Sequence, residues 1–548
     1  VNIEVGNFQI KAPEEVSVDA VTDKWVGAWA GAAGINYISE LNAANYAAGI
    51  AGAVAGNTGN YITAVNIDAA KLNSQGLKFN TDLKKLNIRA VSDGTTVAEG
   101  LAAALSLGAA KFSGAFDAGV SANLIGNTVS TNVKGLSQLE GTSFNTSYNQ
   151  ASWAGDTQVT GGIGFSFGKG ANTGANTGAN SFGGSLIFAV ADIDNTVSSE
   201  FADSTLKLAG NSAVRALSDM VQVTTAVSSA VTTGESSFAL SGAAATSELT
   251  NNVSTTLNSI NISISGEGGF EGTARSSGGQ EADEFENLAD RKWYVKHLNE
   301  LSNESYFKDV GLRTAPDAKE TGKDGSEEKT QNLGALYGQA GKMKQVTVAV
   351  SPAISVGGSS GGAAVVVNQI HNQFAVNASR NVINSDNASS SVVLDAKDDA
   401  FSLGVAVGVA GGKGKFNAAG SVVVSNVDQD ASVVVKDLSS AANRLNVHSD
   451  SATTTVNVGG NFGINVGDGA LGAVGASVVV ANSNNTASTD VDGLNLSSVQ
   501  FADSKLDIGA ANRASAWAAA ADGAVSFSGL GIGGAVAVNR VKNDALVQ

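Results

Sequence analysis

A valine triplet recurs at an almost fixed interval in the C-terminal third of the chain. Val365-Val366-Val367, Val422-Val423-Val424, Val478-Val479-Val480 and the variant Val536-Ala537-Val538 start 57, 56 and 58 residues apart. Each follows a Gly/Ala-rich run such as GALGAVGAS or GLGIGGA, and each precedes an Asn/Asp-centred pair. Those pairs carry the series backwards along the chain. They are Asn543-Asp544, Asn485-Thr486, Gln429-Asp430, Asn372-Gln373, Asn251-Asn252, Asn195-Thr196, Asn127-Thr128 and Asn57-Thr58. The kinship of NTVSTNV, NTVSSEF, NNVSTTL and NTASTDV is direct. A repeat of this period is one supersecondary unit that cannot bury its apolar face alone, so its copies must stack.

The pairs read as turns, because Asn and Asp favour them. A second mark is a short strand of alternating apolar residues, at Leu86, Leu206, Ile260, Val392, Leu445 and Leu506. Strands rich in Val and bounded by Gly, Asn, Asp and Ser favour β structure over helix. The expected fold is all-β, a right-handed parallel β-helix of ~57-residue repeats. Each unit is expected to make two or three coils of roughly 20–28 residues, giving a rod on the order of 100 Å long. Long antiparallel hairpins turning at GGKGKF and GGNFGI are the competing arrangement.

One stretch breaks the pattern. The pairs at Asn252 and Gln373 are 121 residues apart, one unit plus an insertion of about 64. Within it EADEFENLADRKWYVKHLNELSNESYF is densely charged, with Leu288, Val295, Leu298 and Leu301 at helical spacing. The chain therefore divides into β-helix repeats over 1–265, a charged helical insertion over 266–345 that enlarges one variable loop, and further repeats over 346–548. Trp293, Tyr294, Tyr306 and Phe307 are the candidate binding contacts, because aromatics are scarce elsewhere. A helix packed against the repeats is the plainer reading of the same segment. The ANTG tandem within 168–180 reads as an exposed loop tip.

Composition narrows the function classes. Charged residues are 15 % of the chain, below the roughly 25 % of an ordinary globular domain. A net charge of −17 opposes nucleic acid and anionic membranes, while it keeps a strand-rich particle soluble. The absence of cysteine removes thiolate metal sites and leans towards bacterial export. Val1 to Lys11 does not resemble a signal peptide, and polar residues interrupt Trp25 to Gly56, so no membrane insertion is expected. The last residues stop within a repeat, which reads as an internal piece of a longer polypeptide.

No catalytic constellation is legible, and the expectation is that the chain is not an enzyme. His297, His371 and His448 have no ligand-spaced partners, so no metal site is assigned. GFSFG (164–168) and GGSSG (357–361) spell the nucleophile-elbow string without its strand-to-helix context. ADIDN, VDQDA and TDVDG resemble fragments of calcium loops, which leaves Ca²⁺ as a weak candidate and no other cofactor. A polysaccharide-processing β-helix with paired carboxylates is the third-ranked reading.

The motifs GLGIGGAVAVNRVKNDALV (529–547) and GGSSGGAAVVVNQIHNQFAV (357–376) resemble repeats of large exported Gram-negative adhesins, of the leukotoxin-like filamentous adhesin and autotransporter passenger kind. The resemblance spans the chain apart from 266–345. It implies a β-helical shaft outside the cell, at the bacterial surface, mediating attachment. The implied partners are a receptor or glycan on a host or neighbouring cell, or copies of the same chain in a self-assembling filament or matrix. No stretch of the sequence is read as the N-terminal secretion domain or C-terminal barrel of that pattern.

Overall fold

The computed structural model describes residues 2–4, 15–38, 46–68, 84–108, 112–136, 147–170, 180–234, 236–265, 268–276, 343–385, 387, 389–497 and 504–548. Within them the chain is a parallel β-helix, with no helix among the described residues. Two sheets alternate along the sequence. The first holds β1 (Asn2–Glu4), β3 (Tyr46–Asp68), β5 (Phe112–Lys134), β7 (Asn180–Ala202), β11 (Ser236–Asn258), β15 (Ser359–Ser385), β17 (Phe416–Ser440), β19 (Gly472–Leu496) and β21 (Leu530–Val547), in that spatial order. Short strands β8 (Thr205–Leu208) and β12 (Asn261–Ile264) prolong two of its rungs.

The second sheet holds β2 (Glu15–Ile38), β4 (Lys85–Gly108), β6 (Ser147–Gly170), β16 (Ser391–Gly412), β18 (Arg444–Asn465) and β20 (Lys505–Ser526). Two of its rungs are split, into β9 (Ser212–Ser218) with β10 (Val221–Thr233) and β13 (Gly269–Ser276) with β14 (Met343–Ser355). The pairings between described strands are parallel, which excludes the hairpin arrangement there. GGKGKF joins one sheet to the other, and GGNFGI lies inside β18.

The repeat interval is the pairing register. Val365 pairs with Val422, Val422 with Val478 and Val478 with Val536. One unit is therefore one coil of two strands of 22 to 25 residues, not two or three coils of shorter ones. Nine rungs at about 4.8 Å make the body roughly 40 Å long, and strands of that length make it roughly 75 Å wide. It is a broad flattened coil and not a 100 Å rod.

The difference has a physical cause. The Asn pairs, which read as turns, sit mid-strand with the first residue pointing inward. Asn127, Asn195, Asn251, Asn372, Gln429 and Asn485 form one in-register buried column. Asn57 does not join it, since Asn127 pairs with Tyr61. The second mark also merges two places. Val392, Leu445 and Leu506 stack in the second sheet, whereas Leu206 and Ile262 stack in the first.

Each strand has two unlike halves. Where the first sheet's strands end and the second's begin, Val197, Phe201, Leu257, Phe374, Val433, Ile88, Val214 and Leu394 pack into a wide aliphatic core. At the other side of the coil the interior is Ala189, Ala245, Ala349 and Ala406 with Val366, Val423 and Val479. The sheets converge there. A Cβ on Gly408 would collide with the Gly420 carbonyl oxygen of the opposite sheet, and one on Gly362 with that of Val409. Between the two cores lies a hydrogen-bonded zone. Gln345 Nε2 donates to Gln222 Oε1 at 2.9 Å, and Gln222 Nε2 to Gln158 Oε1 at 2.7 Å. The same amides reach the opposite sheet's Gln369 and Glu248 carbonyls at 3.0 Å. Buried polar groups satisfied both along and across the coil fix its register as well as its thickness.

At the end of the first-sheet rungs a left-handed residue turns the chain. Gly135, Asp203, Ser259, Arg380, Asp437 and Gly493 have φ between 49° and 72° and stand at equivalent positions on successive rungs. Asn381 ties two of these corners, accepting from the Ile260 N–H at 3.2 Å and donating to the Leu257 carbonyl at 3.1 Å. A non-glycine residue here costs about 1–2 kcal/mol of backbone strain. Asp437→Gly is expected to raise the denaturant midpoint by the equivalent of about 1 kcal/mol and Gly493→Val to lower it by more. Equal midpoints for both variants would contradict a shared corner.

Of the 266–345 segment, Gly269–Ser276 and the residues from Met343 onwards are rungs of the second sheet. Ser276 pairs with Ser218 and Lys344 with Val221, so residues 277–343 stand where Asp219 and Met220 suffice on the rung before. The excursion leaves mid-strand from a sheet face, and not from the variable loop at the coil edge. Residues 277–342 lie outside the described residues.

Candidate recognition surface

The outer faces invert the core's division. Over the aliphatic core the outside is polar and laced by rung-to-rung ion pairs, Asp19 to Arg89 at 2.8 Å, Lys134 to Glu200 at 2.8 Å and Arg215 to Glu271 at 2.9 Å. Pairs of this kind at the solvent boundary add on the order of 1 kcal/mol each, and their main effect is on register.

The polar half of the first sheet carries two outward columns of hydrogen-bonding groups. Alternation places one outward column at Asp192, Glu248, Gln369, Asn426, Asn482 and Arg540. The next runs Asp194, Thr250, His371, Asp428, Asn484 and Lys542. Their C-terminal ends line a shallow trough of about 540 Å³. Asn482 Nδ2 donates to Asn426 Oδ1 at 2.7 Å, and His371 Nδ1 lies 3.4 Å from Asp428 Oδ2. Carboxamides, a carboxylate and two cations spaced by the rungs offer donors and acceptors to a polyhydroxylated ligand. At the N-terminal end the column is acidic. Burial and then the neighbouring Glu248 and Asp194 raise the Asp192 pKa.

The aromatic candidates Trp293, Tyr294, Tyr306 and Phe307, and also His297, lie outside the described residues. His448 stands outward beside Asp507 at 3.2 Å. Neither elbow string forms an elbow. Ser166 of GFSFG points into the core within β6, and Ser359 of GGSSG opens β15 and accepts from the Phe416 N–H at 3.2 Å. The acids of ADIDN, VDQDA and TDVDG point outward at alternate positions. Among the described residues no three His, Asp or Glu side chains could hold a metal ion together. The trough residues Asn426, Asn482 and Arg540 were legible in principle, since each lies one repeat beyond its predecessor.

Buried charge belongs to the scaffold. Lys24 and Asp156 meet at 3.0 Å inside the coil, two rungs apart, and Gly94 between them leaves room for the lysine stem. Lys24 also lies 4.2 Å over the Tyr61 ring and donates to Asn127. Removing one partner of such a pair costs about 3–5 kcal/mol.

Comparison with protein-family models, curated proteins and solved structures gives no match. The class defined by the coordinates is a broad two-sheet parallel β-solenoid.

Asp117 provides a pH signature of this interior. It accepts from Ser185 Oγ at 2.9 Å, and burial raises its pKa from 3.8 to about 7 against that hydrogen bond. Asp398 is raised too, by burial and then by Asp399, with the Asn372 amide opposing. The folded chain holds these protons more tightly than the unfolded chain. Their contribution is therefore fully favourable below the ordinary value of 3.8 and is lost as pH rises towards about 7. Denaturant midpoints measured across that interval are expected to decline less in Asp117→Asn than in the parent. Identical slopes would contradict the buried protonated carboxyl.

Proposed function

We propose that this chain is a structural and adhesive shaft segment of a secreted bacterial surface protein, placed outside the cell and acting in attachment without catalysis. The observation that carries the reading is the outward ladder of Gln369, Asn426, Asn482 and Arg540 beside His371, Asp428 and Lys542. A rigid sheet face that repeats hydrogen-bonding groups at rung spacing suits a glycan or receptor on a host or neighbouring cell. The cysteine-free, acidic composition and the likeness of the repeats to exported adhesins support the same reading. Residues 277–342, with Trp293, Tyr294, Tyr306 and Phe307, are the second contact of this proposal.

The test is binding to cells and to a glycan panel by three proteins. They are the intact chain, an Asn426→Ala/Asn482→Ala/Arg540→Ala variant, and a variant in which 277–343 gives way to the two-residue link of the preceding rung. At least a tenfold loss in the triple variant assigns contact to the ladder, and a loss in the shortened chain assigns it to the excursion. Absence of binding by the intact chain overturns the attachment reading.

A further inference from the structure

Over the Ala-rich half of the coil the outside is apolar. On the first sheet the central outward column runs Val54, Val120, Phe188, Ala244, Val365, Val422, Val478 and Val536, unbroken over eight rungs. Its exposure is 75 % at Val54, 46 % at Phe188, 39 % at Val478 and 52 % at Val536. The columns on either side are Gly, Ala, Val, Leu, Ile, Phe and a few Ser or Thr, and carry no charge from Ala48 to Gly56 or at the positions aligned with them. Five columns across eight rungs cover roughly 27 by 34 Å, about 900 Å². A monomer's largest apolar patch is ordinarily about 300–600 Å², and a stable interface takes about 800 Å² from each partner.

We infer that this band is where two copies of the chain associate, sheet against sheet, through a two-fold axis. Small and β-branched side chains at rung spacing make a flat corrugated face that packs on an identical one. The charge distribution selects the orientation. The other half of the same face is net acidic, with Asp192, Asp194, Glu200, Glu248, Asp428, Asp430 and Asp490 against Lys134, Lys436, Arg540 and Lys542. A two-fold overlap with strands antiparallel across the interface buries the apolar halves and sends these acidic halves outward in opposite directions. A parallel overlap would lay acid on acid.

The second sheet is the less suitable face. Its apolar band carries Glu99, and residues 277–342 leave at its border. Beside that exit its outward Val91, Trp153 and Leu217 are already fully buried. The inference does not depend on the attachment reading, because it uses the opposite half of the first sheet.

Sedimentation equilibrium of the full chain over micromolar concentrations tests it. The expected result is a dimer that persists in high salt. Val422→Glu/Val478→Glu weakens it at least 100-fold, and Val407→Glu/Val458→Glu on the second sheet leaves it unchanged. Gly420→Arg is the companion variant, since a side chain there meets nothing within 4 Å in its own chain. It dissociates the dimer, while its melting midpoint equals that of the parent diluted to monomer. A monomeric parent, equal weakening by both valine pairs, or flotation of the parent with phosphatidylcholine vesicles in place of dimerisation would overturn it.

Discussion

The structure depends on parallel strands stacking in register, so that each residue lies on its counterpart one unit away. Backbone hydrogen bonds between rungs are indifferent to which residues pair, and a slip by one position would turn every side chain to the other face. Like-on-like columns remove that freedom. Val366, Val423 and Val479 stack inside the narrow half, and the Asn and Gln columns stack across the middle. A slip would leave Gln222 and Gln345 without either their neighbour amide or the opposite carbonyl, at about 1–3 kcal/mol for each unsatisfied group.

Register in turn divides each long strand. Where large aliphatic side chains point inward the sheets stand apart, and their outer surfaces take the ion pairs and carboxamides that keep the particle in water. Where Ala, Ser and Gly point inward the sheets close until Gly408 and Gly420 are in backbone contact. So thin an interior buries little apolar area, and the large apolar residues of that half stand outside. A coil that is aliphatic inside at one edge and aliphatic outside at the other presents a solvated polar face and an apolar face on one sheet.

Much of this was legible in the sequence, and the losses have particular causes. The valine triplets announced the pairing register, because β-branched residues recur where sheet meets sheet. The number of coils per unit was not legible. A strand of 23 residues with a buried Asn at its centre is indistinguishable, read linearly, from two short strands and a turn. Leu206 and Leu445 look alike because both sheets contribute Leu and Val to the wide core, although they belong to different sheets. Asn57 failed as a marker because the N-terminal rungs accommodate Lys24, Tyr61 and Asp156 around Asn127. The trough residues repeat at the unit interval, but a linear reading gives them no shared face until the outward columns are aligned. The aromatic run was conspicuous in composition and lies outside the described residues.

The central claim is that one repeat unit makes one coil. The parent chain contains no cysteine, so a pair introduced by substitution reports on its own geometry alone. Val424→Cys with Val480→Cys joins residues that face outward on adjacent rungs, within the span of about 4.4–6.8 Å that a disulfide bridges. Val424→Cys with Ala452→Cys joins residues about half a unit apart that lie in opposite sheets. Mild oxidation should cross-link the first pair within the monomer and leave the second reduced. Cross-linking of the second pair and not the first would mean short coils of half a unit and would contradict the one-coil repeat.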